Sequence, residues 1–333
     1  MKQYDIYGIG NALVDMEFQV NEDFLRQMGI EKGVMTLVDQ KRQDLLLNML
    51  KNQKNRRSCG GSAANTVIGL VQLGGRGYYS CKVAADETGD FFYQDLLDKG
   101  VQNNLGKKRP DGVTGKCMVF ITPDADRTMN THLGITETFS MDELVEEELK
   151  KARYLYIEGY LAASPSAKNA AVKACKMAKK HNVKTALTLS DPSMAKFFKE
   201  GLLEMMDSRI DLLFCNEEEA LVFSDTGKIE QAAKKLQELA EIVVITLGAK
   251  GACLNNHGEL RFTPGVKVKA VDTNGAGDLF AGSFLYGMAY NYGFEKSAKL
   301  ACATSSRLVT QYGPRLQPEQ TMAVKKEVLS AGV

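Results

Sequence analysis

The sequence has no apolar run approaching ~18 residues, so it offers no transmembrane helix. Its first residues, Met1-Lys2-Gln3-Tyr4-Asp5, lack the apolar stretch of a secretory leader, and the chain reads as cytoplasmic. An excess of either charge is also missing. The formal net charge is +1, which leaves no broad electrostatic footprint for nucleic acid. One basic run, residues 51–57, reads as a solvated face. The three histidines (His132, His181 and His257) have no metal-ligand spacing. The seven cysteines never fall in Cys-x-x-Cys spacing, and several lie inside apolar runs, as Cys215 does after Leu212-Leu213-Phe214. Buried reduced thiols fit that pattern. Internal repeats and low-complexity segments are absent as well.

What is present is a hydrophobic fraction of 44% and a charged fraction of 25%, ordinary for a soluble globular protein. The length of 333 residues suggests one large domain with an appendage. From about Tyr154 onward, short apolar runs alternate with amphipathic helical stretches. Strand-like runs at 154–157, 184–189, 212–215 and 242–247 alternate with helical patterns at 166–180, 194–206, 217–223 and 229–239. This alternation predicts βαβ units and a doubly wound, mostly parallel α/β sheet covered on both faces. Residues 4–9 read as a further strand, and 294–312 and 318–329 as closing helices. Residues 14–20, 34–38, 115–122 and 127–133 read as extended pieces without long helices between them. They predict a small antiparallel β-lid built from two insertions, about 14–38 and 112–133. The turn Pro123-Asp124-Ala125-Asp126 would join its last two strands.

Seven residues carry the most chemistry: Asp272-Thr273-Asn274-Gly275-Ala276-Gly277-Asp278, between a β-like run of Val266, Val268 and Val271 and an apolar helix from Leu279. Small residues at a helix N-terminus leave free N–H groups and a positive dipole end, a ready anion site. Asp278 would repel a phosphate as a ligand but suits a base beside one; a helix N-cap is the competing reading. Gly8-x-Gly10 lacks the third glycine of a dinucleotide fingerprint. Asn11 and Asp15 follow the first strand, where an amide and a carboxylate would bind vicinal hydroxyls or simply make a turn. Cys59-Gly60-Gly61-Ser62-Ala63-Ala64-Asn65 is a second glycine-rich helix start without the Lys-Ser/Thr of a P-loop. Asn65 falls in the first turn of that helix. Asn216 and Glu219 share one helix face, which suits hydrated Mg²⁺ or a capping box. The segment from Thr246 through Gly248 to Gly251 would hold nucleotide phosphates or form a plain hairpin turn. Strand alternation puts Arg127, Met129, Thr131 and Leu133 on one face. A lid with one cation over a phosphate and apolar groups over a base or sugar would look like this.

Together these motifs resemble the ribokinase (PfkB) family of ATP-dependent carbohydrate and nucleoside kinases, over essentially the whole chain. The anchors are Gly60 to Asn65, Asn216 to Glu219, and above all Asp272 to Asp278. Gly10-Asn11-Ala12-Leu13-Val14-Asp15, Thr128-Met129-Asn130-Thr131 and Gly313-Pro314-Arg315 look most like the bacterial adenosine-kinase-like branch. The resemblance implies a single ribokinase-like domain over 1–333, transferring phosphate from ATP to a hydroxymethyl group of a nucleoside, adenosine first. A sugar such as ribose or fructose is the alternative acceptor. It implies Asp278 as general base, with the amides of Gly275, Ala276 and Gly277 as anion hole. Asn11, Asp15, Gly60, Gly61 and Asn65 would hold the ribose hydroxyls. Arg127, Met129, Thr131 and Leu133 would form the lid, and Tyr160 would lie against the base. Asn216, Glu219, Thr246, Gly248 and Gly251 would serve ATP, with Glu219 reaching Mg²⁺ through water. Asp272 would be the place for a monovalent cation such as K⁺. The implied partners are small molecules, with no nucleic acid or membrane, and the chain would be a monomer or a homodimer.

Overall fold

The computed structural model describes residues 2–106, 108–124, 126–206 and 209–330. In chain order the first strands are β1 (Tyr4–Ile9), β2 (Leu13–Gln19), β3 (Met35–Leu37), β4 (Arg56–Gly60) and β5 (Gly77–Ser80). They are followed by β6 (Gln102–Asn103), β7 (Thr114–Ile121), β8 (Arg127–Gly134), β9 (Ala152–Ile157) and β10 (Lys184–Thr188). The last are β11 (Ile210–Asn216), β12 (Ala240–Thr246), β13 (Gly251–Asn256) and β14 (Glu259–Pro264).

Nine of these form one sheet in the order β14-β13-β12-β11-β10-β9-β1-β5-β6. Pairing is parallel from β6 to β12 and antiparallel only at the β12-β13-β14 edge. The strands are buried on both faces, which is why they read as near-continuous apolar runs. Alternate side chains enter two different core layers. Ile6, Tyr156, Phe214 and Val244 pack into one, and Tyr7, Ile157, Leu213 and Ile245 into the other. Helices cover both layers, so the architecture is three-layered αβα. The chain leaves β1 toward β5 on one side and meets β9 on the other, so the crevice at the end of β1 lies at a topological switch point.

The second sheet runs β3-β8-β7-β2-β4. It is mixed rather than antiparallel, because β2–β7 and β3–β8 pair in parallel. It also draws on a third segment. β4 pairs with β2 in antiparallel register, and the end of the basic run becomes strand because Cys59 and Gly60 are buried there while Arg56 and Arg57 stay exposed. Of the turn at 123–126, Ala125 lies outside the described residues. Two helices, Glu22–Gln27 and Gln40–Met49, add a layer of the lid's own. Val14, Met16, Phe18, Met118 and Phe120 face them, packing with Leu25, Leu46 and Leu50. The opposite face holds Asp15, Cys117 and Thr131 in one cross-strand row, Glu17, Val119 and Met129 in the next, and Ile121 with Arg127 beyond. The four lid residues expected on one face are on one face.

Three helical stretches depart from the pattern. The one at 194–206 divides into Pro192–Phe197 and Lys199–Met206, the one at 229–239 ends at Leu236, and the one at 294–312 ends at Leu308. Val266, Val268 and Val271 are exposed and form no strand: their apolar side chains meet no core layer that would fix an extended register. Among the described residues no helix is long and apolar enough to cross a membrane.

Phe120 is fully buried, with the rings of Phe18 and Phe24 at 6.4 and 5.8 Å. Phe120→Ala should therefore cost about 3–5 kcal/mol in urea unfolding. Phe262→Ala, at a residue 58% exposed, should stay within about 0.5 kcal/mol of the parent.

Candidate active site

The helix Ala276–Ala289 is apolar almost all round (Leu279, Phe280, Phe284 and Leu285 are buried), so it sinks into the core with its N-terminus at the crevice. Gly275 caps it at φ 74°, a left-handed conformation that costs a glycine nothing. A Cβ there would also lie 2.5 Å from the Pro314 carbonyl oxygen. The Ala276 N–H donates to the Thr273 carbonyl at 3.2 Å. Of the three amides expected to form the anion hole, that one is spent inside the turn. Above Gly277 the space is open: apart from its chain neighbours and the backbone of its own helix, no atom of the described residues lies within 4 Å of where a Cβ would stand. An anion would meet the positive end of the helix there.

Asp278 sits in the first turn. Its carboxylate accepts from Ser62 Oγ at 2.6 Å and from Asn65 Nδ2 at 3.0 Å. Both donors belong to a second helix, Ser62–Gln72, which also begins at the crevice. The two helices pack at close range through small residues. A Cβ on Gly282 would lie 2.4 Å from the Thr66 carbonyl oxygen, and one on Gly69 would lie 2.8 Å from Leu279 Cδ1. Burial pushes the Asp278 carboxyl up from the ordinary value, while Ser62, Asn65 and the Arg315 charge work against that rise.

Around this carboxylate lie the expected acceptor-side residues. Asp15 projects from β2 into the space that Gly60 leaves, where a Cβ would come within 2.4 Å of Oδ1. Gly61, at φ 98°, passes so close to Asn11 that a Cβ would stand 2.1 Å from its carbonyl oxygen. Asn11 is buried, with its carbonyl accepting from Tyr79 Oη at 2.9 Å and its side-chain oxygen facing Thr136 Oγ1 at 3.5 Å. Burial, with Glu17 and Asp278 nearby, holds the Asp15 carboxyl at about 7, against the lowering pull of Arg315 and Arg127.

Three residues outside the expected set complete the site. Ser62 is one. Glu158, directly after β9, is 1% exposed and accepts from the Ala63 N–H at 2.8 Å and the Asn11 N–H at 3.4 Å. Burial pushes its carboxyl to about 8. The signal was a carboxylate at the end of an apolar strand in a parallel sheet, where ligands gather. Arg315 is the third, donating from Nε to Asn65 Oδ1 at 3.0 Å.

The lid cation and the candidate cation ligand meet one another. Arg127 Nη2 lies 2.9 Å from Asp272 Oδ2 and 3.5 Å from Glu17 Oε1, with the guanidinium 5.9 Å from the Tyr312 ring centroid. Asp272 also accepts from the N–H groups of Gly313 and Asn274, at 2.8 and 3.1 Å. The Asp272 carboxylate read for a monovalent cation is paired with a guanidinium, and Arg127 points at the Asp272 to Asp278 turn rather than into open space. Arg127 makes ion pairs without aligned hydrogen bonds, since no guanidinium nitrogen has a hydrogen-bond partner among the described residues. Thr131 donates to Cys117 Sγ at 3.3 Å, and Leu133 lies beside Gly115 near the lid's root. Beyond Met129 the inner face opens into a cavity of about 1000 Å³ lined by Glu17, Gln19, Arg56, Ile121 and Tyr312. It lies toward the lid tip, away from Asp278.

On the far side of the crevice, Asn216 and Glu219 form a reciprocal capping box. Asn216 Oδ1 accepts from Glu219 N at 2.8 Å, and Glu219 accepts from Asn216 N at 3.1 Å and from Asn216 Nδ2 at 2.6 Å. Burial raises the Glu219 carboxyl to about 7. Thr246 ends β12, and the turn Gly248–Lys250 is exposed. Gly251 is not. It is buried in the β13 pairing, where a Cβ would lie 2.0 Å from the Thr263 carbonyl oxygen, so the hairpin has room there for a glycine alone. Tyr160 lies in the turn Gly159–Ala163 and packs on the core layer opposite the Ala276–Ala289 helix.

Carboxyls held near 7 to 8 keep protons that the unfolded chain has released above about 4. Native stability should therefore fall as pH rises from 5 to 8. Glu158→Gln should flatten that fall in thermal melts at the two pH values; an unchanged slope would contradict the protonation of Glu158.

The description "pfkB family carbohydrate kinase" belongs to the family model matching residues 35–321. A probable sugar kinase from Rhizobium etli is 32% identical, with a TM-score of 0.90 over 99% of this chain and 100% of that one. Adenosine kinase from Sinorhizobium meliloti is 33% identical, with a TM-score of 0.88 over 98% and 99%. Adenosine kinase 2 of Arabidopsis thaliana is 27% identical across 92% of this chain and 94% of its own length. With a family match over most of its length and this fold, the chain belongs to the pfkB family of carbohydrate kinases.

Proposed function

We propose that this kinase transfers the terminal phosphoryl group of ATP to the hydroxymethyl group of a nucleoside, adenosine first. The observation that carries the reading is Asp278, held by Ser62 and Asn65 beside the open helix N-terminus at Gly277. The acceptor hydroxyl would sit between the Asp278 carboxylate and the γ-phosphorus. Its proton goes to Asp278, its oxygen bonds to phosphorus, and the bond to the β-phosphoryl oxygen breaks to leave ADP. Phosphoryl transfer asks little covalent help of a protein. It needs in-line positioning and stabilisation of charge on the transferring group. The Gly275 and Gly277 amides and the helix dipole supply that stabilisation here. Asn216 and Glu219 fit a hydrated Mg²⁺ reached through water, an ion that neutralises phosphoryl oxygens when bound. Asp15 and Asn11 accept from the ribose hydroxyls, and the apolar Met129 and Leu133 suit a base. A cytoplasmic setting, where the seven buried free cysteines stay reduced, goes with this reading.

A free sugar is the second reading. The cross-strand row that holds Asp15 is polar on three of its four strands, with Ser58, Asp15 and Thr131 beside Cys117, and the Rhizobium etli relative is described as a probable sugar kinase.

An acceptor screen read by ADP release should give adenosine well above ribose and fructose; turnover on sugars with none on nucleosides would reverse that order. Asp278→Asn should lower kcat by ~10²–10⁴ and leave acceptor KM nearly unchanged. Turnover at the parent rate would remove Asp278 from its role.

A further inference from the structure

Arg315 enters the site from the far end of the chain, and its side chain is only 11% exposed. It lies in a tripeptide that touches the site three times. The Gly313 N–H donates to Asp272, Pro314 packs against Gly275, and Arg315 Nε donates to Asn65 Oδ1 at 3.0 Å. The rest of the guanidinium is anchored. Nη2 donates to the Cys59 carbonyl, and Nη1 lies 3.5 Å from Asp95 Oδ2, which itself accepts from the Cys59 N–H at 2.8 Å.

An asparagine amide is nearly symmetric in shape, yet its two ends differ: one donates and the other accepts. Were the Asn65 amide turned over, its oxygen would face the Asp278 carboxylate and the pair would repel. A guanidinium has donors only, so the Asn65 oxygen must face Arg315 and the NH₂ group must face Asp278. The geometry points to Arg315 as a positioning residue that fixes the Asn65 amide, and through it the carboxylate of Asp278. The inference rests on the reading of Asp278 as acceptor-side base. Arg315 also supplies positive charge among Asp15 from β2, Glu158 after β9 and Asp278 itself. It is the cation that favours ionised Asp278.

The test is steady-state kinetics across pH for Arg315→Met, Arg315→Lys, Asn65→Ala, each Arg315 variant combined with Asn65→Ala, and Asp278→Asn. Arg315→Met should lower kcat about 10- to 100-fold, the scale of one charge-assisted hydrogen bond. Acceptor KM should move far less, and the acid limb of kcat should shift to higher pH. In the Asn65→Ala background the same substitution should lower kcat less than about threefold, because the two residues act as one unit. Equal losses in both backgrounds, or no loss in either, would overturn the inference. Should Arg315→Met fail to fold, Arg315→Lys decides in the same way: a kcat loss confined to the Asn65 background supports positioning, and equal or absent losses refute it. A parent-like kcat for Arg315→Met beside an inactive Asp278→Asn refutes this inference alone. Parent-like turnover of Asp278→Asn would instead remove the reading beneath it.

Discussion

Two helix N-termini meet at one carboxylate, and the rest of the site is arranged around that meeting. The helix Ser62–Gln72 brings a hydroxyl and an amide, and the helix Ala276–Ala289 brings Asp278 and the open turn at Gly277. Neither helix could approach the other so closely with ordinary side chains at Gly69 and Gly282. Two positive dipole ends in one crevice make the place attractive to anions. Burial makes a free carboxylate there costly, which is why Asp278 keeps two hydrogen-bond donors and a nearby guanidinium.

The same crevice collects segments remote in sequence. Asp15 comes from the lid, Glu158 from the end of β9, and residues 313–315 from beyond the last long helix of the core. Two arginines join these parts. Arg127 ties the smaller sheet to the Asp272 to Asp278 turn through Asp272, and Arg315 ties the C-terminal segment to Asn65. An ion pair between that sheet and the turn couples the position of one to the geometry of the other.

Local signals were legible where period and glycine placement decide structure. The central strands announced themselves as apolar runs because both faces are covered, and the Asp272 to Asp278 turn because small residues precede an apolar helix. The lid's inner face followed from alternation along β8. What was not legible depends on pairing across the chain. β4 hid in a basic run because its partner, β2, supplies the reason for it to be extended. The parallel β2–β7 and β3–β8 pairs cannot be read from either strand alone. The close approach of Gly251 to Thr263 was hidden because that neighbour in space lies on another strand. Glu158 stood at the end of an apolar strand and Arg315 in the Gly313-Pro314-Arg315 run, but the partners that give each its place are 95 and 250 residues away. Asp272 and Arg127 were each read alone, and each proved to be the other's counter-ion.

The most direct measurement is a crystal structure of the protein with a bound nucleoside. It should show the acceptor's hydroxymethyl oxygen within about 3 Å of an Asp278 carboxylate oxygen, facing the open side of Gly277. A nucleoside whose hydroxymethyl group lies away from that carboxylate, with Asp278 bonded only to Ser62 and Asn65, would contradict the account.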